Sequence, residues 1–188
     1  MVRSQITIEH ALLGFMREQP THGYDIYRQL SDPAGLGIVW RLKRSQLYAL
    51  LGKLEAEGYI SAMLEPQEAR PPRKVFHLTA EGREAFEEWM QSPVAHGRQL
   101  RLDFLARLYF ARREGRQAAA QLIDRQRAAC RQWLTTEQAK ADEVRDTRPY
   151  DWLVHEFRAG QIRAMLDWLD TCEQTQVGSI AGLVKDEG

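Results

Sequence analysis

Between Arg41 and Leu54 the chain carries Arg41, Lys43, Arg44 and Lys53 and no acidic residue; a second basic group, Arg70, Arg73 and Lys74, follows around Pro71 and Pro72. Cations at this density, interleaved with Ser45, Gln46 and Tyr48, have the chemistry to hold phosphate oxygens and to hydrogen-bond base edges. Bond-making chemistry finds no such set. The five histidines, at 10, 22, 77, 96 and 155, form neither an HExxH pair nor a Cys/His cluster, so no metal and no other cofactor is expected. Gly35, Leu36 and Gly37 lack a preceding strand and a third glycine, and thus read as a loop and not as a nucleotide fingerprint. Neither a GxSxG elbow nor a paired-carboxylate constellation is present, so binding is expected and catalysis is not.

The elements that would position the cations follow from periodicity. Leu47, Leu50, Leu51 and Leu54 fall at i, i+3, i+4 and i+7, one apolar stripe of a helix at about 100° per residue. Ser45, Ala49 and Gly52 then lie on the opposite side, with Gln46 and Lys53 on one edge and Tyr48 on the other. A glycine inside a helix costs about 1 kcal/mol relative to alanine, so Gly52 needs a reason: close approach to a nucleic-acid groove, or close packing by another helix. Gly58 stops the helix, and residues 59–64 and 74–78 read as two strands flanking a proline-stiffened loop, a wing. For an isolated hairpin its three cations would simply be solvated. Beside a basic helix with a bare outer face, they read as a second contact surface.

Upstream, Ile8, Leu12, Phe15 and Met16 predict a helix over 9–19, ended by Pro20. A second helix begins near His22, with Ile26, Tyr27 and Leu30 inward, and Asp32, Pro33 and Gly35 break it. Thr79 is placed to cap a fourth helix that holds Ala85, Phe86 and Trp89, with Glu81 in its first turn, and Pro93 and Gly97 close the unit. The expected fold is mostly α with a small β-wing, a winged helix-turn-helix over residues 1–97.

These residues resemble the PadR-type transcription regulators. The resemblance rests on HALLGFM, on His22, Gly23, Tyr24, Asp25 and Ile26, on Ser45, Leu47 and Tyr48 leading to LEAEGYI, and on Lys74, Phe76, Leu78, Thr79, Glu81 and Gly82. Ala49 stands where the family usually has proline, and Phe76 where many members have tyrosine. The resemblance implies a sequence-specific regulator of double-stranded operator DNA. Its contact set is expected to be Tyr24, Lys43, Arg44, Ser45, Gln46, Tyr48, Lys53, Arg70, Arg73 and Lys74. The competing reading from another class is a protein-interaction adaptor built on the same scaffold.

Residues 98–188 show helical periodicity and no strand signal, with breaks at Gly115 and at 147–149 giving three helices. The middle one, near 116–145, is too long and too thinly apolar to form a core alone, so a homodimer with antiparallel helices is expected. LDFLARLYF and the run from DWLVHEF to MLDWLD resemble the dimerisation region of longer PadR-type members. Regulators of this type often respond to small molecules, phenolic acids for one subgroup. Trp40, Tyr109, Trp152, His155 and Arg158 would suit an aromatic effector bearing a carboxylate, with ordinary core packing as the alternative.

Composition bounds the rest. Net charge is +0, yet residues 98–132 carry nine Arg and Lys against three acids while 133–188 carry six against eleven. Cys130 and Cys172 have no motif spacing, which suits free thiols in a reducing cytoplasm. No apolar run nears the roughly 20 residues a membrane span requires, and the N-terminus lacks a hydrophobic signal core, so a cytoplasmic protein without a membrane partner is expected.

Overall fold

The computed structural model describes residues 8–67 and 70–178, with backbone alone at 67, 70, 71 and 176–178. The described residues divide into two compact units, those up to 91 with 98–113 and those of 92–97 with 114 onward.

The first unit begins with α1 (Ile8–Gly14), β1 (Thr21–His22), α2 (Gly23–Leu30) and a short 3-10 turn over Leu36–Ile38. It continues with α3 (Arg44–Ala56), the hairpin strands β2 (Ile60–Gln67) and β3 (Arg70–Leu78), and α4 (Ala80–Gln91). A π-helical turn over Leu100–Phe104 then leads into α5 (Leu105–Glu114). The sheet is antiparallel in the order β1-β3-β2. Leu12, Leu13, Ile26, Leu30, Leu47, Leu51, Leu54, Ile60 and Phe86 of this unit are all buried, each such aliphatic side chain contributing roughly 2 kcal/mol. Phe15, Phe86 and Trp89 each meet the ring of Phe110 edge-on, at centroid separations of 5.4, 5.3 and 6.2 Å. Gly14 admits those rings, since a Cβ there would stand 2.6 Å from both Phe110 and Phe86. His10 stacks on Trp89 at 5.9 Å and Arg107 lies over the same indole at 5.3 Å. Burial pushes the Arg107 guanidinium down to about 10 and, together with that neighbouring cation, lowers His10 as well.

Two local signals behave as their residue types require. Gly58, at φ +81°, is the left-handed residue after α3. Its N–H donates to the Glu55 carbonyl at 3.2 Å and the Tyr59 N–H to the Leu54 carbonyl at 3.0 Å, the two bonds of a Schellman motif. Thr79 caps α4, its Oγ1 accepting from the Gly82 N–H at 3.0 Å and donating to the Tyr59 carbonyl at 2.9 Å. Gly82 is required there, because a Cβ would fall 2.0 Å from that carbonyl oxygen.

Three expectations are corrected. The first helix ends at Gly14, not near Gln19: the Met16 N–H bonds back to Leu13, and the chain turns so that Thr21 can pair with Phe76. That pairing makes β1 a third strand, where the sequence reading placed only the start of the second helix. The wing strands are also longer than 59–64 and 74–78, and Pro71 and Pro72 lie within β3 and not in a loop. Glu65 pairs with Arg73 and Gln67 with Arg70, so Pro66 opposes both prolines across a bulge; residues without an N–H are tolerated where the ladder is already interrupted.

In the second unit, α6 (Arg116–Val144) and α7 (Pro149–Gly178) form a hairpin. Arg127 pairs with Asp170 at 3.1 Å and with Glu173, and Glu137 meets His155 at 2.8 Å, a pattern that makes the helices antiparallel. Ala119, Leu122, Ile123, Cys130, Ala159, Ile162 and Leu169 are buried on these helices. Gln126 is buried and accepts the Val94 N–H at 2.8 Å, which ties residues 92–97 to the hairpin. The expected boundaries of the middle helix are met to within one residue.

Candidate nucleic-acid interface

The sequence stripe of α3 divides as its spacing demands. Leu47, Leu51 and Leu54 are buried and Leu50 is half-buried, while Ser45, Gln46, Tyr48, Ala49, Gly52 and Lys53 are exposed. A Cβ at Gly52 would meet nothing within 4 Å, so no packing inside the described chain explains the glycine.

The first turn of α3 is unusual electrostatically. Lys43 and Arg44 stand at its start with no acidic residue there, at the positive pole of the helix dipole, where a cation costs roughly 0.3–1 kcal/mol. Gln46 stabilises this start by accepting the Lys43 N–H on its Oε1 at 3.0 Å, half of a capping box. The guanidinium of Arg44 lies over two exposed rings, 5.7 Å from the centroid of Tyr24 on α2 and 5.7 Å from that of Tyr48 on its own helix. These tyrosines are 55% and 42% exposed. Gly23 makes the arrangement possible, because a Cβ there would come within 2.8 Å of the Tyr48 ring. The His-Gly-Tyr segment thus has a physical reading: the glycine admits the ring of one tyrosine and the following residue supplies the other.

Other cations of the expected set are engaged. Lys53 donates to Glu9 Oε1 at 2.7 Å, a carboxylate buried on α1, and lies 3.8 Å from Glu57. Lys74 reaches Glu55 at 3.1 Å, which ties the wing to the end of α3. His22 adds a second tie, one ring nitrogen 3.3 Å from the Lys74 carbonyl and the other 3.5 Å from Glu65. Arg73 is exposed on β3, and the side chain of Arg70 lies outside the described residues. Glu9, Glu55, Gly23 and His22 were missed as organising residues; only the His-Gly-Tyr spacing signalled any of them.

The five residues expected to serve an effector fall into both units. In the first, Trp40 is half-buried, and the Tyr109 hydroxyl packs against the Gly35 turn, 3.5 Å from where a Cβ would stand. In the second, His155 and Arg158 both turn to Glu137, at 2.8 and 3.9 Å. Burial raises that carboxyl, but the His155 bond and the Lys140 and Arg158 charges more than offset it and hold Glu137 below the usual carboxylate range. Trp152 presents a buried indole Nε1 with no acceptor among the described residues. No three His, Cys, Asp or Glu among the described residues group as metal ligands, and no described helix is long and apolar enough to cross a membrane.

The family model described as "Transcriptional regulator PadR-like family" matches residues 12–88, and that described as "Virulence activator alpha C-term" matches residues 100–175. Residues 12–88 are thus PadR-like. The negative transcriptional regulator PadR of Bacillus subtilis is 29% identical to this chain over 116 residues, 62% of the chain and 63% of the relative. A probable transcriptional regulator of Mycobacterium tuberculosis is 27% identical over 90 residues, 48% of this chain and 47% of its own length. The chain thus matches between about half and just under two thirds of the length of these relatives. Among solved structures, that of Bacillus subtilis PadR in complex with operator DNA has 24% identity and a TM-score of 0.46, covering 90% of this chain and 99% of that one. The described residues themselves form a mostly helical fold with a small three-stranded antiparallel sheet and a C-terminal helical region.

Proposed function

We propose that this PadR-like chain is a homodimeric, sequence-specific DNA-binding transcription regulator, acting as a repressor that a small aromatic effector releases. The observation that carries the reading is the outward face of α3. It combines a bare glycine, an exposed tyrosine beside a second exposed tyrosine from α2, and two cations at an unfavourable helix pole, features that cost the isolated chain stability and gain a purpose against a polyanion. Two copies of α3 would enter successive major grooves about 34 Å apart on a palindromic site, with the wings on the flanking backbone. Repression follows where that site overlaps a promoter.

Residues 98–188 are proposed to supply the dimer contacts. On α7, Tyr150, Leu153 and Phe157 are 77%, 56% and 66% exposed and fall at i, i+3 and i+7, one apolar stripe that a second copy would cover. For the effector, Trp152 offers an unsatisfied indole donor, and Arg158, on the same helix as His155, offers a cationic end for a carboxylate. Fluorescence anisotropy with the duplex upstream of the chain's own gene, at two salt concentrations, tests the reading. Tight, salt-sensitive binding that aromatic acids reverse is expected; no affinity for any duplex would favour an adaptor.

A further inference from the structure

We infer that Arg44 is the residue of α3 that reads a guanine edge, and that Tyr24 and Tyr48 are the positioning residues that aim it. The inference rests on the DNA-binding reading above and refines it, since the density of cations alone would assign Arg44 to phosphate.

The polar ends around Arg44 are largely committed. Gln46 spends its Oε1 on the Lys43 N–H, Lys53 is held by the buried Glu9, and Lys74 is held by Glu55. Arg44 differs from all three. Among the described residues it faces no carboxylate within ion-pair distance and no acceptor within hydrogen-bond distance, and its guanidinium lies over two aromatic rings. Stacking of this kind restrains the plane of the fork while leaving its in-plane N–H donors outward. A planar, oriented fork is the group that matches O6 and N7 of guanine bidentately, whereas a phosphate asks only for positive charge nearby. Position agrees with chemistry, because the first residues of a recognition helix are those that meet base edges, and Arg44 is the first residue of α3. The rings come from different helices, Tyr24 from α2 and Tyr48 from α3, so the aim of the fork is set by the packing of the two helices on each other.

The test uses the full chain and duplexes it selects from a randomised library. Each guanine of the selected site is replaced in turn by 7-deazaguanine, which lacks the N7 acceptor. The parent is expected to lose about ten-fold in affinity at one guanine per half-site. Arg44→Ala should bind the unmodified site at least ten-fold more weakly and be indifferent to 7-deazaguanine at that position, while its affinity for a scrambled duplex falls far less. Tyr24→Leu should shrink the same 7-deazaguanine penalty, and Tyr24→Phe, which keeps the ring, should preserve it. A 7-deazaguanine penalty that persists in Arg44→Ala, or an equal loss on selected and scrambled duplexes, overturns the inference alone. If the parent enriches no sequence, the DNA-binding reading falls and this one with it.

Discussion

Arg73 and Gln46 stand for the two kinds of contact a duplex offers. Arg73 is exposed on the wing, so Arg73→Ala should weaken binding to every sequence and lower the slope of log affinity against log salt by about one unit. Gln46→Ala should instead alter preference among operators. Because Gln46 also caps α3 through the Lys43 N–H, that substitution should lower stability by about 1 kcal/mol in urea unfolding as well. Equal affinities for both variants and the parent would remove the α3 and wing surface from consideration. Lys53 presents a different balance. Its partner Glu9 is buried, so Lys53→Met, which strands a carboxylate, should destabilise more than Glu9→Gln, which leaves a half-exposed ammonium free to reach water. The difference should be about 1–3 kcal/mol, and a larger effect of Glu9→Gln would contradict it.

At the scale of elements, local chemistry was readable and long-range pairing was not. The leucine spacing of α3, the Gly58 stop and the Thr79 cap each depend on residues within a few positions of one another, and each appears as the sequence required. Strand β1 has two residues, too few for any periodicity, and exists because Phe76 and Val75 lie beside it. The ion pair of Lys53 with Glu9 and the stack of Arg44 on Tyr24 likewise join residues on different helices, which no spacing rule connects. Prolines at 71 and 72 argued for a loop because a strand loses donors there; the bulge opposite Pro66 is what lets the strand run through them. In the helical hairpin, the lowered Glu137 carboxyl yields a pH dependence with a definite sign. A folded-state pKa held below the unfolded one stabilises above the unfolded value and loses that contribution as pH falls through the folded one. Thermal melts should therefore separate the parent from Glu137→Gln at neutral pH and bring the two together in acid below the ordinary carboxylate range. A gap that widens in acid would contradict the assignment.

For the whole molecule, a net charge of +0 is no bar to binding a polyanion, because the cations that matter are gathered at the start of α3 and on the wing. Affinity should depend strongly on two half-sites being engaged together. Phe157→Glu places a charge on the exposed stripe of α7 without touching the buried face of that helix. Light scattering should then report a monomer, with operator affinity lower by two orders of magnitude or more while the melting curve is largely kept. A persistent dimer would move the interface elsewhere on residues 98–188.

The prolines of the wing reach beyond recognition. Strand β2 is the outer margin of its sheet and bears Met63 and Leu64 at 62% and 66% exposure. An unpaired rim with exposed apolar side chains invites strands from other molecules to add on, the first step toward fibres. The bulge at Pro66 spoils the flat register such stacking needs, so the arm that reaches outward is kept from recruiting its own kind.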